Sequence, residues 1–273
     1  MKIAIIYFSA TNNTALIADK IEEYLIQIDN EINVLKYDIT SHKNQNKVFD
    51  AAKFDFLFFG FPVYAWRIPR PMRIWLKKLE GKQKLCSLFF TYGGINSGVV
   101  HYDTTRILKE QGFTVITSIE IVTNHSFNIC GWNVLENRPD ENDFKTLNHF
   151  VQNTLKKIKS HDLAGIIFDR PTISEKTLSI IEKNPIRAVR APKRIASTCS
   201  MCLLCEEKCP TEAFTAESGC AKSSLCIRCL RCINICPDEV IETNNLAGSI
   251  DLVLKAEKLT LRDLENRKSK IFF

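Results

Sequence analysis

Continuous apolar runs recur five times in the first half of the chain, each followed by a polar break and an amphipathic stretch. Lys2–Tyr7 contains Ile3-Ala4-Ile5-Ile6, which suits a strand buried on both faces of a parallel sheet. Comparable runs lie at residues 32–37, 54–59, 85–90 and 114–122. Between them the period changes to that of a helix. Residues 14–28 carry a stripe of Leu16, Ile17, Ile21, Leu25 and Ile28, and residues 143–159 one of Phe144, Leu147, Val151, Leu155 and Ile158. Residues 71–79 and 101–110 read as two further helices. Strands alternating with helices predict an α/β fold, a doubly wound five-stranded parallel sheet over residues 1–162.

In such sheets ligands bind beyond the carboxyl ends of the strands, so the polar breaks carry the candidate chemistry. The first is Ser9-Ala10-Thr11-Asn12-Asn13-Thr14. A strand, a hydroxyl-rich turn and a helix amino terminus make an anion site, through free N–H groups, the helix dipole and side-chain hydroxyls. The bland alternative is an N-capped helix without a ligand. The stretch contains no glycine, which excludes the G-x-G-x-x-G dinucleotide fingerprint and gives no support for direct oxidation of a nicotinamide cofactor. The second break, Gly60-Phe61-Pro62-Val63-Tyr64-Ala65-Trp66, places Tyr64 and Trp66 where they either stack on a planar ring or pack against the next helix. The third is Thr91-Tyr92-Gly93-Gly94, whose glycines let the backbone approach a ring edge.

Residues 5–14, followed by Ala18 and Ile21, resemble the flavodoxin signature for the phosphate of FMN, with Asn12 where that family usually has Gly. Asn is the next-best residue for a left-handed backbone, so the turn is compatible. The resemblance implies FMN held at its phosphate by Ser9, Thr11, Asn12, Asn13 and Thr14. At its ring it implies Pro62, Val63, Tyr64, Ala65, Trp66, Thr91, Tyr92, Gly93 and Gly94.

The second half of the chain is ordered by cysteine. Cys199, Cys202, Cys205 and Cys209-Pro210 form a C-x2-C-x2-C-x3-C-P run, and Cys226, Cys229, Cys232 and Cys236-Pro237 repeat it 27 residues later. Leu203 matches Leu230, Glu212 matches Glu239, and Phe214 matches Ile241. Structural zinc sites also use C-x2-C pairs, but they need two separated pairs, not three cysteines in one tight run. The pattern is the bacterial ferredoxin run for two [4Fe–4S] clusters, in which the fourth cysteine of each run ligates the other cluster. That resemblance assigns Cys199, Cys202, Cys205 and Cys236 to cluster one, and Cys226, Cys229, Cys232 and Cys209 to cluster two. Leu203 and Leu230 stand where bacterial ferredoxins usually carry Gly, and are expected to shield the clusters from water.

The remaining residues change the picture less. Of 11 cysteines eight are then cluster ligands, which with a start that does not read as a signal peptide suggests a reducing cytoplasm. Cys86 reads as a core residue, Cys220 as a spare thiol, and His125 as a satisfied surface histidine in preference to one that contacts flavin or donates a proton. The charge of +6 is weak evidence for nucleic acid, since two clusters and a flavin phosphate would add roughly six negative charges. No membrane span is expected. Residues 163–196 read as a linker, with Lys183, Arg187, Arg190, Lys193 and Arg194 either solvated or a docking face. Residues 244–273 read as a helical tail, with one helix over 251–268.

As a whole the chain resembles flavodoxin–ferredoxin fusion proteins, a family typical of anaerobic bacteria and archaea. The resemblance implies a small α+β two-cluster ferredoxin domain over residues 197–243. It implies electron transfer between the clusters and FMN, as a low-potential carrier for a partner redox enzyme. The alternative is an iron–sulfur flavoenzyme that reduces a small molecule at FMN. A carrier predicts an exposed flavin edge; an enzyme predicts a roofed pocket, with residues 125–141 as the roof.

Overall fold

The computed structural model describes the backbone of all 273 residues and every side chain except Ile186 and Arg187. The side chain of Arg187, one of the basic stretch, thus lies outside the described residues. The first half alternates as expected: β1 (Lys2–Tyr7), α1 (Asn13–Ile28), β2 (Asn33–Asp38), the short α2 (His42–Gln45), β3 (Phe56–Pro62), α3 (Arg70–Leu76), β4 (Leu85–Tyr92), α4 (Val100–Glu110), β5 (Thr114–Val122) and α5 (Glu141–Lys159). The five strands are parallel in the order β2-β1-β3-β4-β5, one of the two common doubly wound orders and the flavodoxin-like one. Apolar residues on both faces explain the continuous runs. Ile3, Ile5, Phe56, Phe58 and Ile119 pack under α1 and α5. Ala4, Ile6, Leu57, Phe59 and Leu88 pack under α3 and α4.

The second half comprises α6 (Glu175–Ala188), β6 (Lys193–Arg194), α7 (Leu204–Glu207), β7 (Phe214–Thr215), β8 (Cys220–Ala221), α8 (Arg231–Asn234), β9 (Ile241–Glu242), α9 (Ile250–Glu257), α10 (Leu261–Glu265) and β10 (Lys270–Phe272). Four of its strands make a small antiparallel sheet in the order β7-β8-β6-β9. Lys193 and Arg194, at the end of the expected linker, are thus one of its inner strands. The 27-residue repeat is written into the backbone. Met201 and Arg228, Leu203 and Leu230, and Glu212 and Glu239 all adopt positive φ, and α7 and α8 occupy matching places.

The tail departs from the single helix expected over 251–268. Lys258 turns into the left-handed region after α9, and Thr260 caps α10 in a reciprocal capping box with Asp263. The chain then runs back to the first sheet, where β10 pairs antiparallel with β5 as a sixth strand. Ser269 Oγ accepts from the Val122 N–H at 3.0 Å and donates to Asp143 at 2.6 Å. A third apolar core joins the segment after β5 (Cys130, Trp132, Val134) to Val189, Leu230, Leu246, Leu254 and Leu264. The length of that segment is explained here: Trp132 Nε1 donates to Leu246 O and Ser249 Oγ.

Removing residues 269–273 is expected to cost about 2–4 kcal/mol, because Ile271 and Phe272 leave apolar contacts and the edge of β5 is uncovered. Hydrogen exchange checks it: amides of Ser118 to Val122 should lose protection before those of β1.

Candidate functional site

Loops at the carboxyl ends of β1, β3, β4 and β5 converge on one cavity of about 770 Å³. Ser9, Thr11, Asn13 and Thr14 form one wall, with Pro62, Val63, Tyr64 and Ala65, then Thr91, Tyr92 and Gly93, as its continuation. The turn after β1 is held firmly. Ser9 Oγ accepts from the Ala15 N–H at 3.0 Å, the Ser9 N–H donates to Thr40 Oγ1 at 2.8 Å, and the Thr14 and Thr91 hydroxyls bond at 2.8 Å. Asn13 Nδ2 donates to Asn124 Oδ1 at 2.7 Å, tying the turn to the end of β5. Among the described residues no acceptor of the chain takes the N–H groups of Asn13 and Thr14. Free amides at the start of a 16-residue helix, with hydroxyls beside them, suit a phosphate.

Three expected residues stand off the cavity wall. Asn12 adopts φ 67° as the turn requires, with its side chain exposed. Trp66, also at positive φ, lies against Gly98, where a Cβ would come within 2.1 Å of the Trp66 Cβ. Its carbonyl accepts from the Val99 N–H, so this ring serves the β4–α4 connection. Gly94 faces Leu135, and its carbonyl accepts from Arg267 of the tail.

His125 corrects the surface reading: it is half-buried and lines the cavity. Its ring lies against Gly93, where any Cβ would meet it at 2.1 Å, and against Trp132 at 4.6 Å. Nδ1 accepts from the Phe127 N–H at 3.1 Å, so the neutral ring carries its hydrogen on Nε2. Burial pushes its pKa down to about 4. Sequence reasoning had no signal for this, because the partner of His125 is a missing side chain, that of Gly93.

The far side of the cavity comes from outside the expected loops. Helix α6 contributes Glu175, Ser179, Glu182, Lys183 and Pro185. It is clamped by Arg67 to Glu175 at 2.7 Å and by Arg73 to Glu182 at 2.5 Å. The segment Ser224 to Arg228, including Cys226, completes the wall.

The eight run cysteines separate into two groups, and all are free thiols. Cys199, Cys202, Cys205 and Cys236 line one small cavity beside Leu203 and Pro237. Burial raises the Cys205 thiol, and Cys202 and Cys236 add to the rise, so the fourth cysteine of the second run sits with the first run. Burial pushes Cys229 up to about 12, against a hydrogen bond from the Arg231 N–H and with Cys226 and Cys209 adding to the rise. Burial likewise raises Cys232, with Cys229, Cys226 and Cys209 contributing. Protonated thiols grouped in this way must release protons to bind metal. Cys209 Sγ also accepts from the Ala213 N–H at 3.2 Å. The donor set, four soft sulfurs in each group with N–H groups aimed at them, fits iron–sulfur ligation. The two leucines differ. Leu230 is 1% exposed in the third core, whereas Leu203 is 44% exposed and shields little.

The second group lies against the first sheet. Cys229 and Ile227 pack in the same core as Tyr64 and Phe8. The Cys209 carbonyl accepts from the His42 N–H, and Arg231 Nη1 donates to Ser9 O at 2.5 Å.

No family model matches the sequence, nor does any curated protein. Solved flavodoxins are similar to it in structure. One from the domain Archaea is 17% identical, over 58% of this chain and 99% of that one, with a TM-score of 0.41. Oxidised flavodoxin 2 from Bacillus cereus is 19% identical, over 57% and 99%, at 0.42. Two-electron reduced flavodoxin from Megasphaera elsdenii is 22% identical, over 55% and 98%, at 0.36. The fold assignment itself rests on strand order and register. The amino-terminal fold is flavodoxin-like. No described helix is long and apolar enough to cross a membrane.

The half-buried His125 makes stability depend on pH. The native state takes up this proton only near pH 4, the unfolded chain near about 6.5. Between those values the unfolded state binds more protons, so stability falls as pH drops. Urea unfolding at about pH 7 and about pH 5.5 should show a loss about 1 kcal/mol larger for the parent than for His125→Gln.

Proposed function

We propose that this chain is an intramolecular electron conduit, with FMN in the large cavity and a [4Fe–4S] cluster on each cysteine group. The observation that carries the reading is that Cys226 lines the same cavity as Ser9, Thr14, Tyr92 and His125. One ligand of cluster two thereby borders the flavin site, while cluster one, with Cys202 exposed, faces solvent. The cofactors supply one-electron and two-electron redox chemistry. Residues of the chain hold and insulate them. Ser9, Thr11, Asn13 and Thr14 bind the phosphate, Tyr64, Tyr92 and Gly93 border the ring, and His125 presents a neutral Nε2–H. Tyr64 packs in the same core as Cys229 and also lines the cavity, so it touches both redox sites.

The carrier reading takes cluster one as the point where a low-potential partner protein exchanges electrons. A second reading, reduction of a small molecule at FMN, draws support from α6. Its residues Glu175, Ser179 and Glu182 line the cavity together with His125, Ser126 and Phe127 of the segment 125–141.

Anaerobically purified protein is expected to hold about eight irons and one FMN per chain, with a visible spectrum that bleaches on reduction. Eight irons without FMN, even after FMN is added, would remove the conduit and leave a plain ferredoxin. Within the phosphate turn, Asn12→Gly should leave the FMN Kd within about threefold, since only φ matters there. Asn12→Val, β-branched in a left-handed position, should weaken it at least about tenfold. Fluorescence titration of FMN reads both.

A further inference from the structure

The two halves of the repeat share their positive-φ positions and short helices but not their charges. At the position after the left-handed leucine the first half has Leu204 and the second Arg231. Two residues before that leucine the first half has Met201 and the second Arg228. Met201 is 46% exposed; Arg228 is 4% exposed. Neither guanidinium forms an ion pair among the described residues. Arg228 donates to Val189 O, Cys226 O and Ser223 Oγ, each at 2.8 Å. Arg231 donates to Ser9 O, and its Nε is buried with no partner among the described residues. Both charges are uncompensated by carboxylates and stand within two residues of Cys226, Cys229 or Cys232. The corresponding stretch of the first half carries Glu206 and Glu207 with Lys208, where the second has Ile233, Asn234 and Ile235.

We propose that Arg228 and Arg231 set the direction of electron flow, by making the cluster on Cys226, Cys229, Cys232 and Cys209 the easier of the two to reduce. The inference rests on the two-cluster reading above. Reduction adds one negative charge, and a buried cation beside the thiolates stabilises that charge more strongly than one in water. Burial of cluster two acts in the opposite sense, by disfavouring the more charged state. Two guanidiniums without a carboxylate partner flank cluster two, Arg228 at 4% exposure among them, against one beside cluster one, the half-buried Arg194 that donates to Met201 Sδ, and that difference outweighs it. The step moves one electron from cluster one, which is oxidised, to cluster two, which is reduced, with no bond broken and no proton transferred. Electrons entering at the solvent-facing cluster then run downhill towards the cavity. Arg231 and Arg228 are positioning residues here, since they act through the cluster they flank.

The test is an anaerobic redox titration of the purified holoprotein, with dithionite as reductant and EPR as the readout. The parent should show two cluster potentials. Arg231→Leu, which copies Leu204 and keeps the site dry, should lower the higher potential by at least the about 59 mV of a tenfold change, leaving the lower in place. Arg231→Lys keeps the charge and should retain most of the gap. Leu204 is partly exposed, so Leu204→Arg should fold and raise the lower potential instead. The proposal is overturned if Arg231→Leu, with full iron content, leaves both potentials unchanged or moves the lower one. Retention of the parent values by Leu204→Arg would overturn it independently. A parent protein without clusters would remove the two-cluster reading itself, and that outcome is recognised beforehand from its iron count.

Discussion

One hydrogen bond, from Arg231 to the Ser9 carbonyl, joins loops 222 residues apart and marks the contact on which the rest of the structure depends. On one side is the turn after β1, held to Thr40, Ala15 and Thr91. On the other is the stretch of three cysteines that includes α8. Around it Tyr64, Phe8, Ile227 and Cys229 share one apolar core. Because parallel strands all end at the same edge, every loop that shapes the cavity arises there. The cysteine-rich half has a single place to dock if it is to reach that cavity, and it docks there.

Several features of this arrangement were legible in the amino-acid sequence for clear physical reasons. A strand buried on both faces must be apolar throughout, so β1, β3, β4 and β5 announce themselves as unbroken runs. The repeat of the cysteine runs is plain in their spacing, and it survives in the backbone as paired positive-φ residues. The positions of Ser9, Thr11, Asn13 and Thr14 and of Tyr64 and Tyr92 around one cavity also follow from runs and their breaks.

What was hidden has no local pattern. Strands of two residues, such as β6 and β8, are too short for any periodicity. The pairing of β10 with β5 joins segments about 150 residues apart, and its residues look like any apolar terminus. His101 bonds Ser118 at 2.8 Å and Glu120 at 3.3 Å beneath Phe168 and Phe272, three polar groups that only the folded chain assembles. The role of α6 as a wall depends on Glu175 and Glu182 finding Arg67 and Arg73, and all four read as ordinary surface charges. The unequal burial of Leu203 and Leu230 arises because only one half of the repeat meets a neighbour.

The return of β10 to the first sheet makes the cysteine-rich half an insertion between two strands of that sheet rather than an appendage. It is tethered twice, through α6 at its entry and through α9 and α10 at its exit. A unit on a single flexible tether samples many placements, and the local concentration of one site at another falls with tether length. With two tethers and a shared apolar core, that sampling collapses to one placement. Docking then no longer has to be won at each encounter, so the contact between the two halves becomes insensitive to dilution and to competing partners.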